Sequence, residues 1–216
     1  MMRLLKRPTL WLLGALTLLS IGTVSASAAP VTFSANTGGK FTSGGTIGPD
    51  GSSITVGTTT IIFTSKPSEI NVVLDPPSIT SSNVTLGVFN ALSAGSSTFT
   101  DVKFTLNVNF TVPSDASPNP GVYTGTLSGT ITSGASGASI KWDTTTLTFN
   151  SPTLGQFTLT LEPTTPINSP ASPDQSRIRG VITYNGAPIP EPLTLVTLGS
   201  GLAGLAALAR RRRKNS

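Results

Sequence analysis

The chain reads as an all-β protein, an antiparallel β-sandwich of the jelly-roll or immunoglobulin-like kind, and three observations lead there. Between two hydrophobic ends, apolar residues recur with period two rather than the 3.6 of a helix. Thr fills the alternate positions of those runs, as it does on half-buried strands. Clusters of Gly, Pro, Asp and Ser interrupt them at short intervals, as turns do.

Short runs at 54–56, 60–64, Ile70–Leu74 and 84–89 are rich in Ile, Val and Thr and read as strands. The clearest strand is 103–112, where Phe104, Leu106, Val108, Phe110 and Val112 alternate with Lys103, Thr105, Asn107, Asn109 and Thr111. That alternation predicts one buried and one wet face. Tyr123, Leu127 and Ile131 alternate with Thr and Ser residues, and glycines fill part of the same inner face. Strands also follow at 140–149, 157–161 and 178–184. Turn clusters lie at 48–51, 75–77, 113–121, 133–137 and 163–174. About nine or ten short strands with frequent turns argue one sandwich domain, without a repeat of 20 to 50 residues.

Within 140–149, Ile140 and Trp142 share one parity while Leu147 and Phe149 share the other. A regular strand that buries Leu147 and Phe149 turns Trp142 outward, beside the hydroxyls of Thr144, Thr146 and Thr148. There its indole could stack on a sugar ring. A bulge near 144–146 switches the faces instead and makes Trp142 a core residue, the usual place of Trp in a sandwich. Trp142, Tyr123 and Tyr184 are the only Trp or Tyr residues between the hydrophobic ends, few for a dedicated carbohydrate module.

The first end has the order of a secretory signal peptide: Arg3, Lys6 and Arg7, then the apolar core 10–21, then small residues. Ala26 and Ala28 frame the cleavage box, so residues 1–28 are removed and Ala29 becomes the new N-terminus. The second end comprises Pro190, Glu191 and Pro192, the uncharged run 193–209, and the cations Arg210, Arg211, Arg212, Arg213 and Lys214. Such a cluster is costly to move across a bilayer and halts translocation. As a helix the run spans about 25 Å, at the short end for a membrane crossing. The two prolines keep the segment around Glu191 extended, the form a protease can thread.

These three elements in this order resemble the PEP-CTERM sorting domain, with Ile189 where Val is commoner. The resemblance covers residues 188–214 only. It implies a Gram-negative bacterium that makes exopolysaccharide, and removal of the tail by exosortase, an integral-membrane cysteine protease, on delivery to the outer surface or matrix. The alternative is a permanent single-span anchor behind a Pro-rich hinge. A sortase tail is excluded by the lack of Leu-Pro-x-Thr-Gly. The domain organisation is then 1–28 signal peptide, 29–187 exported sandwich, and 188–216 sorting tail with a transmembrane helix at 193–209.

Most of the chain's basic charge belongs to those ends. Residues 29–189 hold six Lys and Arg against eight Asp and Glu, a slightly acidic balance that gives nucleic-acid binding no support. The pattern G-x-G-x-x-G at 199–204 lies in the membrane run and lacks the later acidic residue of a dinucleotide site. With no Cys, thiol catalysis and disulfides are excluded, and a core must do the holding. The lack of His removes Ser-His-Asp catalysis and His-ligated metals. Asp50, Glu69, Asp75, Asp101, Asp115, Asp143, Glu162 and Asp174 are scattered, so a hydrolase would have to work with a pair of them alone. Asp50 and Asp174 sit in turns that could hold Ca²⁺, but ordinary Asx turns explain both.

The expectation is therefore a non-enzymatic surface or matrix protein without cofactor, in a structural or adhesive role. Its processing partners are signal peptidase and exosortase, and exopolysaccharide is the candidate ligand. It is held transiently at the inner membrane, then passes to the outer surface or matrix. A carbohydrate-binding module using Trp142 is the alternative, and a carboxylate-only glycan hydrolase the more remote one.

Overall fold

Two antiparallel sheets face each other across one aromatic-rich core in the computed structural model, which describes residues 29–65 and 70–186. The strands are β1 (Val31–Ser43), β2 (Thr46–Ile47), β3 (Ser53–Val56), β4 (Thr59–Thr64), β5 (Ile70–Leu74), β6 (Ser81–Ser93) and β7 (Ser97–Val112). They continue as β8 (Gly121–Ile131), β9 (Ser139–Trp142), β10 (Thr146–Ser151), β11 (Gly155–Leu161), β12 (Thr164–Pro166) and β13 (Ser176–Tyr184). One sheet runs β12-β9-β8-β7-β1-β5, the other β10-β11-β13-β6-β4-β3-β2. All described residues belong to one unit, Ala28–Ile189, and no helix among them is long and apolar enough to cross a membrane. The all-β, β-sandwich-like expectation holds. The signal peptide, Glu69, and the tail with Pro190, Glu191, Pro192, the run 193–209 and the cations Arg210 to Lys214 lie outside the described residues.

The period-two faces form as read. Phe104, Leu106, Val108 and Phe110 are buried on β7, as are Tyr123, Leu127 and Ile131 on β8 and Phe157, Leu159 and Leu161 on β11. Val112, expected on that inner face, is exposed instead, because a register shift between β1 and β7 at Ser34 and Ala35 takes the strand end out of line. β7 also begins earlier than 103. A bulge between Phe99 and Val102, with Asp101 at φ +51°, lets residues of opposite parity both face the core.

Two further strands depart from the expectation. β1, 13 residues long, was not legible as a strand, yet it pairs with both β5 and β7. β12 lies inside the stretch expected as loop at 163–174, pairing with β9. The run 140–149 is corrected from one strand to two. The chain leaves β9 after Trp142 and enters β10 at Thr146, in the opposite sheet.

The core divides into two ring clusters. Phe41, Phe63, Phe89, Phe104 and Trp142 form one, with Phe89 and Phe104 edge-on at 5.0 Å. Phe33, Phe110, Phe149, Phe157 and Tyr184 form the other, with Phe149 and Phe157 stacked at 5.1 Å. Each aromatic pair adds about 0.5–1.5 kcal/mol beyond its area. Between the sheets, the buried Tyr123 hydroxyl of β8 donates to the Leu159 carbonyl of β11 at 2.7 Å. Burial pushes the Tyr123 phenol well above its ordinary value, since the charged form would lose water.

Candidate functional site

Trp142 is not a surface platform. It is only 4% exposed, lies edge-on to Phe104 at 6.1 Å, and its indole N–H donates to the buried Thr165 hydroxyl at 3.1 Å. The physical reason is the crossing at 143–145: Leu147 and Phe149 belong to the other sheet, so their parity says nothing about Trp142. The reading of Trp142 as a core residue stands, by a change of sheet rather than by a bulge. Gly125 of β8 opposite makes room, since a Cβ there would come within 3.0 Å of Trp142 Cε3 and of the Lys141 carbonyl. Every aromatic side chain among the described residues is buried, so the outer faces offer no ring for stacking.

The turn acids serve the fold locally. Asp50 accepts from the Ser52 N–H at 3.0 Å and from its hydroxyl at 2.8 Å, and these bonds hold its carboxyl below the usual carboxylate range. Asp115 accepts from the hydroxyls of Ser151 at 2.6 Å and Thr153 at 2.8 Å and from the Thr153 N–H, again lowering its pKa. Asp143 accepts from Thr124 at 2.8 Å. At Asp174 the backbone bonds Ser172 and Asn168, the pattern of a turn. No group of three or more metal-ligating acids forms among the described residues.

The outer faces of the two sheets differ. On the six-stranded sheet, Lys103, Thr126 and Lys141 lie in one cross-strand row, and Lys103 Nζ donates to the Thr126 hydroxyl at 2.8 Å. On the seven-stranded sheet, β13 carries Arg177 and Arg179 outward while Ser176, Ile178 and Gly180 face the core. Among the described residues, neither guanidinium forms a hydrogen bond or an ion pair. β13 lies between β11 and β6, which sets Arg179 opposite Thr85 and Val181 opposite both Thr160 and Asn83.

Two clefts open here. One, of about 440 Å³, is lined by Asn83, Thr85, Thr160, Glu162, Arg179 and Val181. The other, of about 580 Å³, is lined by Glu162, Asn168, Asp174, Gln175, Arg177 and Arg179. They share Glu162 and Arg179, so they form one continuous surface. Glu162 is held there by its backbone N–H, which donates to the Arg179 carbonyl at 3.0 Å. A bulge in β6 beside Arg179, with Gly87 at φ +148°, bends the strand at this point.

Sequence reasoning left out Arg177 and Arg179. Their signal was present: they are the only arginines in residues 29–189 of the sequence and stand two apart across a buried Ile178. Their neighbours Asn83, Thr85 and Glu162 come from strands distant in sequence and depend on the sheet order. Compared with known proteins, the chain matches no family model, no curated protein and no solved structure.

Proposed function

We propose that the chain is an exported cell-surface or extracellular-matrix protein of a Gram-negative exopolysaccharide producer, sorted and cleaved through its C-terminal tail. The single observation that carries this is the order Pro190-Glu191-Pro192, uncharged run, Arg cluster, in a chain that opens with a signal-peptide pattern. Residues 1–28 direct export, 193–209 form a transmembrane helix, and Arg210 to Lys214 stop translocation. The exported domain is a sandwich of the jelly-roll or immunoglobulin-like kind, a reading supported by chain crossings between sheets at 143–145 and 162–163.

Its role is structural or adhesive and non-catalytic. Support comes from the chemistry available: no His or Cys, and turn acids engaged with hydroxyls and backbone N–H groups. Glu191→Ala leaves full-length protein in the membrane fraction of the producing cell, whereas wild type loses its tail. Equal processing of both forms would overturn the sorting claim.

A further inference from the structure

We propose that the cleft over β11, β13 and β6 binds an acidic polysaccharide, with Arg177 and Arg179 receiving carboxylate groups of the polymer. The proposal rests on the surface-protein reading only for the occasion to meet such a polymer. Sorting is read by fractionation and binding by affinity, so either can fail alone.

The first argument is unspent bonding capacity. Each guanidinium presents five N–H donors in a planar fork that matches a carboxylate bidentately. Here both side chains stand outward from one strand, without a hydrogen bond or ion pair among the described residues. Side chains two apart on a strand project from the same face about 7 Å apart.

The rest of the lining narrows the ligand class. Asn83, Thr85, Thr160, Asn168 and Gln175 offer hydroxyl and amide groups, which suit a ligand rich in hydroxyls. Glu162 and Asp174 share the surface with the arginines. These acids repel a nucleic-acid duplex, which carries about one charge per 1.7 Å, but tolerate well-separated carboxylates and can accept from sugar hydroxyls. Single-stranded nucleic acid would need exposed aromatic platforms, and every described aromatic is buried. The same absence disfavours a neutral glycan, whose rings are commonly gripped by stacking. Charge and hydroxyl recognition remain, and both are on this face.

The test uses the full-length chain in detergent with polygalacturonate as probe, dextran as neutral control and duplex DNA as competing polyanion. Wild type binds polygalacturonate and the affinity falls as salt rises. Arg177→Gln with Arg179→Gln weakens binding about tenfold or more. Arg179→Lys, which keeps charge but loses the fork, weakens it measurably. Lys103→Gln with Lys141→Gln, on the other face, leaves it unchanged. Glu162→Gln strengthens it about two- to threefold by removing a like charge, and decides the matter should the double arginine variant fold poorly. No binding of polygalacturonate, equal binding of dextran, tighter binding of DNA, or an unaltered affinity in the arginine and Glu162 variants would overturn the proposal.

Discussion

The surroundings of Trp142 and of Arg179 are opposites in how their bonding capacity is used. Trp142 has spent everything: its ring packs on Phe104, its N–H meets Thr165, and Gly125 gives way beneath it. Arg179 has spent only its backbone, its carbonyl accepting the Glu162 N–H and its strand position pairing with Thr85 of β6, while its exposed guanidinium makes no hydrogen bond or ion pair among the described residues. Residue type alone points the other way, since Trp is the familiar sugar platform and an exposed Arg is ordinary surface. The lesson is that a site is recognised by groups left unsatisfied on a concave surface rather than by the most conspicuous side chain.

The contrast can be broken in order of effect. Trp142→Ala removes a buried ring and leaves Thr165 unpaired, so urea unfolding should register a loss of about 3–5 kcal/mol. A loss under 1 kcal/mol, or a specific fall in glycan affinity without destabilisation, would return Trp142 to the surface. Gly125→Ala places a methyl against Ile140, Lys141 and Trp142, and costs about 1–3 kcal/mol in the same assay.

Tyr123→Phe removes the donor to Leu159 and costs about 1 kcal/mol at neutral pH. It also changes the alkaline limb. The folded phenol titrates above its unfolded value of 10.0, so its contribution is complete below pH 10 and lost as pH rises past it. Wild-type stability therefore falls more steeply above pH 10 than that of the Phe variant, as thermal midpoints across pH 9–11 would register. Smallest of all, Arg177→Gln with Arg179→Gln changes stability by no more than about 0.5 kcal/mol, because both side chains are exposed and make no bond among the described residues. A larger loss would mean that the arginines serve the fold.

Legibility followed the physics of each element. β7 and β11 were readable because large apolar residues alternate over 104–110 and 157–161, and β8 because Tyr123, Leu127 and Ile131 keep one parity with only glycines between them. β1 hid because Thr37 and Gly39 occupy inner-face positions between Ala35 and Phe41, diluting the period-two signal. The division of 140–149 was illegible because the residues at 143–145 carry no Gly or Pro to mark a crossing. Trp142 was readable as core or surface, and only the sheet assignment decides between them. The arginine cleft could not be assembled from sequence, since its walls meet only once β6, β13 and β11 are neighbours.

The position of β1 carries one more consequence. Although first among the described strands, it lies between β5 and β7, bonded on both sides. A chain that emerges N-terminus first therefore presents this strand before either neighbour exists, and its ladder groups wait, exposed, until Val112 has followed. Clipping it off later would not trim a border but strand β5 without a partner in its sheet. The exposure of β1 is thus a matter of timing: it lasts while the domain is half-emerged and ends once the seventh strand arrives.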